Sequence, residues 1–303
     1  MITEFASDVR SGLAKPQKEL PSKYLYDELG SALFDAITVL PEYGLTRADE
    51  RILRRHSPEI PREFSLVAEL GSGSGRKTRA VLEPLDGPDY FPIDVSTPAL
   101  ERCSRELADL ARVTPLAASY LEGLDQVQQH RNGGHVLLLF LGSTIGNFEP
   151  RCRMDLLTQV RARLREGDAL LIGCDLVKPI DTMLEAYDDP SGVTASFNLN
   201  LLGRINRELG ADFNQRAFTH EARYDASWRR IEMHLRAESD QTVTIREAGV
   251  QCTIRCGETI WTESSHKFEL EEIAAMAVEA GFRPEAQWVD PEWPFAENLW
   301  RAV

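Results

Sequence analysis

Several things are scarce in this chain of 303 residues. No apolar run approaches the roughly 18–20 residues that span a hydrocarbon layer. The longest, Val136 to Leu141, has the length of a buried strand. The polar start, Met1 to Glu19, lacks the apolar stretch of a signal peptide, so a cytoplasmic protein without a membrane partner is expected. Positive charge is short as well. With 34 Lys+Arg against 48 Asp+Glu the formal net charge is -14, which opposes nucleic acid as a partner and suits a small zwitterionic or cationic substrate. The five cysteines are an odd number without framework spacing, which fits a reducing compartment. Cys252 and Cys256 have the spacing of half a metal site, but no Cys/His pair completes it, and they read as small apolar residues of a strand-rich region. His56, His130, His135, His220, His234 and His266 show no ligand spacing, so no metal and no catalytic histidine is expected. At 43% hydrophobic the chain can bury the core of one large domain or two.

What is abundant is glycine in one place. Leu66-Val-Ala-Glu-Leu-Gly-Ser-Gly-Ser-Gly-Arg-Lys77 runs from an apolar strand through Gly71, Gly73 and Gly75 into the opening of a helix. Such a turn lets a ligand approach the backbone with no Cβ in the way. A dinucleotide fingerprint needs a glycine where Arg76 stands. A phosphate-cradling P-loop fails at the same residue, and no acidic residue ends the apolar strand at Leu141. An acid, one spacer and G-x-G-x-G fit without exception: Glu69, then Gly71, Gly73 and Gly75, the turn of S-adenosylmethionine-dependent methyltransferases. Tyr90-Phe-Pro-Ile-Asp94 ends about 20 residues further on, where a ribose-binding carboxylate belongs in a Rossmann-like unit.

Strand patterns at Leu66 to Leu70, Tyr90 to Asp94, Val113 to Leu116, His135 to Leu141 and Ala169 to Asp175 alternate with helical ones. These lie at Lys77 to Leu85, Pro98 to Leu110 and Arg151 to Leu164. The alternation predicts an α/β fold with a parallel sheet, ligands binding beyond the carboxyl ends of the strands. Glu69, Asp94, the Ser119 region, Gly142 to Asn147 and Asp175 fall there. Residues 1 to 20 read as a loose tail. Ser31 to Leu40 reads as a helix capped by Ser31, and Thr46 as the cap of a charged helix to Arg55. After Asp175 come helices at Pro179 to Asp188 and Thr194 to Leu209, then antiparallel strands at Arg230 to Arg236 and Thr242 to Arg246. A helix at Leu270 to Ala280 precedes two strands, Phe282 to Val289 and Phe295 to Ala302, expected to return to the parallel sheet. The pattern predicts a Rossmann-like methyltransferase domain, 48–176 with 267–303, and a second α+β domain for substrate, 1–47 with 177–266.

Four stretches carry a resemblance across most of the chain. They are Tyr26-Asp-Glu-Leu-Gly-Ser-Ala-Leu-Phe34 with Leu40-Pro-Glu-Tyr43 and Thr46-Arg47; Leu141-Gly-Ser-Thr-Ile-Gly-Asn147; Tyr187-Asp-Asp-Pro-Ser-Gly-Val-Thr-Ala-Ser-Phe-Asn198; and Ile231-Glu-Met233 with Thr262-Glu-Ser-Ser265-His-Lys-Phe268. Together they resemble the histidine-specific methyltransferases of ergothioneine biosynthesis, which trimethylate the α-amino group of L-histidine. The resemblance implies that Asn147 and Tyr187 hold the substrate carboxylate and that Glu263 and Ser265 recognise the imidazole. It places Tyr43 and Tyr26 beside the amine and Met233 in the pocket lining. On the cofactor side it implies Gly71, Lys77 and Asp94, with Ser119 and Tyr120 at the adenine. Two positions depart from the family pattern. The family commonly reads Tyr-Tyr-Pro-Thr-Arg where this chain has Tyr43-Gly-Leu-Thr-Arg47, and Asp-Phe where it has Ser119-Tyr120, so weaker cofactor binding is expected. S-adenosylmethionine is the cofactor implied, L-histidine the partner, and a monomer the expected state.

Taken one at a time these residues also read as structure: Tyr24, Tyr26 and Tyr43 as core aromatics, Asn147 as a turn former, Glu263 and Ser265 as a solvated strand face, Met233 as core. Their joint order gives them meaning. Methyl transfer to an amine needs alignment and a neutral amine more than strong acid or base, so the tyrosines are given positioning roles. Glu263 and Ser265, two apart on a strand, share a face and can meet both imidazole nitrogens. Two other readings stay open: a methyltransferase acting on another amino acid or small amine, and a cofactor-binding protein without turnover.

Overall fold

The alternating apolar strands and helices after Phe64 fold as their periodicity dictates. The computed structural model describes residues 3–131 and 133–303, and these divide into two compact units. One joins the described residues up to Gly44 with Lys178–His266; the other joins Leu45–Val177 with Lys267–Val303.

The second of these units holds an eight-stranded sheet. In spatial order its strands are Phe282–Val289, Phe295–Ala302, Ala169–Asp175, His135–Phe140, Phe64–Leu70 and Asp89–Asp94. Arg112–Val113 and Leu116–Ala117 both pair with the last of these at the edge. From Phe64–Leu70 the chain steps outward to Asp89–Asp94 and then returns to His135–Phe140 on the other side, so the strand order reverses beside the glycine turn. Such a switch point opens a crevice at the carboxyl ends of the strands. Alternate side chains of the central strands enter two apolar clusters. Ala68, Leu70, Leu138 and Phe140 go to one, Val67, Leu137, Leu139 and Leu171 to the other. A sheet covered on both faces explains why these strands read as continuous apolar runs.

Several expectations need correction here. The strand expected at Val113 to Leu116 is broken into two short pieces, because Pro115 has no N–H to give the ladder. The helix after the glycine turn is Thr78–Leu82, shorter than expected. A helix at Tyr120–Gln129 was not anticipated. Gly123 dilutes its pattern, yet glycine is required there, since a Cβ would stand 2.4 Å from Ile93. The last two strands do return to the sheet, and they join it antiparallel: Phe295–Ala302 slots beside Ala169–Asp175 and pairs with Phe282–Val289.

The other unit carries a four-stranded sheet in the order Lys18–Glu19, Thr259–His266, Arg230–Ala237, Phe218–Asp225, with a separate hairpin of Gln241–Ile245 and Val250–Ile254. The loose tail expected at its start is a helix, Glu4–Leu13, capped by Thr3 and burying Ala6, Val9 and Leu13. Arg10 ties it to the Ala248 carbonyl at 2.7 Å. The next helix, Glu28–Ile37, is capped by Asp27 and not by Ser31. Asp27 accepts from Gly30 N at 2.7 Å and from Asn200 at 2.7 Å, so the cap also fastens this helix to Val193–Leu209. The charged helix starts at Gly44, so Thr46 lies inside it. Cys252 is buried as expected, but Cys256 is exposed.

Candidate active site

The glycine turn is built by backbone conformation. Gly71, Gly73 and Gly75 all have positive φ, at 72°, 52° and 75°, a region that costs other residues roughly 1–2 kcal/mol. At Gly75 a Cβ would meet Cys103 Sγ at 2.7 Å and Leu107 at 2.9 Å, so this glycine packs the turn onto the Thr97–Leu107 helix. At Gly71 a Cβ would stand 3.2 Å from the Tyr120 hydroxyl. At Gly73 it would meet nothing within 4 Å, so the backbone there faces open space. A turn closed beneath and open above fits a bound cofactor.

Glu69 holds this turn from inside. Its carboxylate accepts from Thr78 Oγ1 at 2.6 Å and from the Tyr90 hydroxyl. Burial pushes its pKa up to about 7, against the pull of those two donors and of Lys77. Asp94 ends the next strand and accepts from Ser96 N at 2.8 Å and Gly73 N at 3.3 Å. Burial raises its pKa above the usual carboxylate value despite these donors. Ser119 caps the Tyr120–Gln129 helix and gives its hydroxyl proton to Glu122 Oε2 at 2.6 Å, which leaves its lone pairs as acceptors. Tyr120 is half-buried beside Phe140, ring centroids 5.5 Å apart. Lys77 Nζ donates to Asp49 Oδ2 at 2.6 Å. Asp49 had not been singled out from the sequence.

The loop after the His135–Phe140 strand is pinned in the same unit. Ser143 has φ 57° and accepts from Asp175 N at 2.9 Å through its hydroxyl. Asp175, expected near the ligand, is committed to a buried ion pair with Lys267 at 2.8 Å. The short turn Thr144–Asn147 follows and presents Asn147 half-buried.

The candidate substrate residues of the other unit converge through an aromatic chain. Tyr26 meets Phe34 at 5.4 Å and Phe197 at 5.5 Å; Phe34 meets Tyr43 at 6.3 Å; Tyr43 meets Tyr187 at 6.0 Å. The Tyr187 hydroxyl donates to Ser265 Oγ at 2.7 Å. Ser265 and Glu263 lie two apart on Thr259–His266, and Met233 is paired directly with Glu263 on the neighbouring strand. A β-bulge between Trp261 and Glu263 sets how the following side chains are aimed. Tyr187 is itself anchored by two residues to which the sequence assigned no role. His220 Nε2 meets the Tyr187 carbonyl at 2.7 Å, and Asn198 Nδ2 meets His220 Nδ1 at 2.9 Å. A carbonyl can only accept, so the proton of this imidazole sits on Nε2. Among the described residues no cluster of three or more His, Cys, Asp or Glu could hold a metal, and no helix is long and apolar enough to cross a membrane.

A histidine N-alpha-methyltransferase of Mycolicibacterium smegmatis is 39% identical over 301 residues, covering 96% of this chain and 93% of that protein. One from Mycobacterium tuberculosis is 42% identical over 303 residues with the same coverage. Among solved structures, a possible exported protein from Bordetella parapertussis shares the fold at TM-score 0.51 and 15% identity, covering 92% of this chain and 85% of that one. The family model of histidine-specific, S-adenosylmethionine-dependent methyltransferases matches residues 5–302, and the chain belongs to that family.

Proposed function

We propose that this enzyme methylates the α-amino group of L-histidine in up to three successive transfers, as a step of ergothioneine biosynthesis. The glycine-turn unit holds the cofactor and the other unit the amino acid. The observation that carries the reading is the convergence of Tyr26, Tyr43, Tyr187 and Ser265 through one aromatic chain, with Glu263 on the same strand as Ser265. S-adenosylmethionine supplies an electrophilic methyl group when bound. Gly71, Gly73 and Gly75 leave room for its amino-acid part, Lys77 meets the carboxylate, Asp94 the ribose hydroxyls, and Ser119 accepts from the adenine amino group beside Tyr120. Glu69 keeps the turn in shape.

On the substrate side, Tyr43 and Tyr26 orient the amine without adding a formal charge. Glu263 and Ser265 meet the two imidazole nitrogens, and Tyr187 takes the carboxylate, with Met233 lining the pocket. The Tyr187 hydroxyl can donate to a carboxylate in place of Ser265. A ligand lacking the ring would leave Glu263 and Ser265 without the partner this reading gives them. The test is product mass: with cofactor and histidine, the amino acid gains methyl increments up to three, and no gain contradicts the reading. The buried Leu45 beside Tyr43, where the family commonly has proline, favours one second reading, a different amino acid or small amine as acceptor. A competition panel in which histidine has no advantage would support that alternative.

A further inference from the structure

Beneath the glycine turn three carboxyls and one ammonium meet inside a single unit: Asp49, Glu69, Glu297 and Lys77. Asp49 and Glu297 are fully buried, and Glu69 is 2% exposed. Asp49 Oδ2 accepts from Lys77 at 2.6 Å and from Gly142 N at 3.0 Å. Glu297 has no such donors. Neither of its oxygens, nor Asp49 Oδ1, has a hydrogen-bond partner among the described residues. Glu297 stands opposite Gly173 across the Ala169–Asp175 strand and fits there because glycine has no Cβ, which would come within 2.5 Å of Oε1. A buried carboxylate without donors is costly, whereas one proton placed between two facing carboxyls satisfies an oxygen of each. The surroundings agree. Burial foremost, then the facing Asp49 carboxyl at hydrogen-bonding range and the charge of Glu69, hold Glu297 well above the usual carboxylate range, with Lys77 alone opposing. Cys174, next to Gly173 and on the other face of the strand, also senses the Glu297 charge.

We propose that Glu297 keeps its proton and donates it to Asp49 Oδ1, and that this shared proton leaves Lys77 able to attract the carboxylate of the cofactor's amino-acid part. The proposal rests on the reading of the glycine turn as the cofactor site. With the proton in place, Lys77 faces one full negative charge in Asp49. Without it a second carboxylate lies behind Lys77 and repels an incoming anion through a medium of low dielectric constant. Glu297 is thus a positioning residue, acting through Asp49 and Lys77.

Two measurements test this, and the first needs no ligand. Infrared difference spectra of the ligand-free protein at pH 7, wild type against Glu297→Gln, are expected to show a protonated-carboxyl C=O band that the variant lacks. Its absence from the wild type overturns the proposal. The second is calorimetric titration of S-adenosylhomocysteine from pH 6 to pH 9, in buffers of different ionisation heat. Wild-type Kd is expected to rise by about tenfold more than that of Glu297→Gln across the range, with more proton uptake on binding at the alkaline end in the wild type than in the variant. Titration of Glu69 and of the ligand's own amine contributes equally to both proteins. Identical slopes overturn the proposal. If neither protein binds S-adenosylhomocysteine, the cofactor reading of the turn fails instead, and the infrared band still decides where the proton lies.

Discussion

The two units make their candidate sites in opposite ways. In the glycine-turn unit the site is a continuous stretch, Phe64 to Leu82, whose backbone supplies most of the shape, completed by the ends of neighbouring strands. In the other unit Tyr26, Tyr43, Tyr187, Met233, Glu263 and Ser265 come from segments far apart in the chain, and only the fold brings them together. Their acids differ too. Burial raises Glu69, Asp94 and Glu297 in the first unit. In the second Asp189, although burial works the other way, is held well below the usual range by Ser191, Thr194 and Val193 at the start of the Val193–Leu209 helix. A site built from backbone tolerates little change in shape. A site built from side chains tolerates little change in polarity.

The largest effect should come from breaking the backbone-built site. Gly75→Val adds strain at φ 75° and a clash with Cys103 and Leu107, together about 3–4 kcal/mol. Urea unfolding should show that loss and titration should show no cofactor binding. A variant of wild-type stability would contradict the packing described for this turn.

Next comes pH, which should separate Glu69 from Asp189. Burial holds the folded Glu69 carboxyl at a pKa of about 7, against 4.5 for an ordinary glutamate. Between those values the native state binds more protons than the unfolded one, so stability falls as pH rises through that window, by at most ~3 kcal/mol. Glu69→Gln should flatten this slope in urea midpoints taken between pH 4.5 and pH 8. Asp189 works in the other direction. Its contribution is present above the ordinary aspartate value and is lost as pH falls through the lowered one, so amide protection factors in Val193–Leu209, which are corrected for the intrinsic slowing of exchange in acid, should fall. Acid protection of that helix would break the comparison.

A smaller effect is expected from polarity in the side-chain-built site. Glu263→Ala should raise the histidine Kd by about 100-fold, or ~2–3 kcal/mol, and leave cofactor binding within about threefold. Smallest is Tyr187→Phe, which removes the 2.7 Å bond to Ser265 and the proposed carboxylate donor. It should cost roughly 1 kcal/mol in histidine affinity, readable in the same titration. Equal losses of cofactor and histidine in either variant would mean that these residues act through the fold.

Legibility in the sequence followed the same division. The strand, turn and helix around Gly71 to Gly75 could be read from local spacing, because backbone conformation and glycine positions are local properties. Periodicity gave the strands of the sheet and the return of Phe295–Ala302 to it, but it carries no direction, so the antiparallel sense of that return comes from the structure alone. The Tyr120–Gln129 helix escaped because Gly123 serves packing against Ile93 and not helix formation. The N-terminal helix escaped because its partners, such as the Ala248 carbonyl, lie over 200 residues away. The cap at Asp27, the His220–Asn198 anchor of Tyr187 and the Asp49–Glu297 pair are single polar residues in otherwise ordinary stretches. Glu297 alone left a trace, as an acid in the middle of a strand pattern apolar enough to be buried.

The central claim is that histidine is recognised by side chains gathered in one unit while the other binds the cofactor. Its most direct test is calorimetric titration of L-histidine into protein saturated with S-adenosylhomocysteine, for wild type and Glu263→Ala. Saturable binding to the wild type that is lost in the variant, with the cofactor still bound in both, is the predicted result. Cofactor binding without any histidine binding to the wild type would contradict the claim.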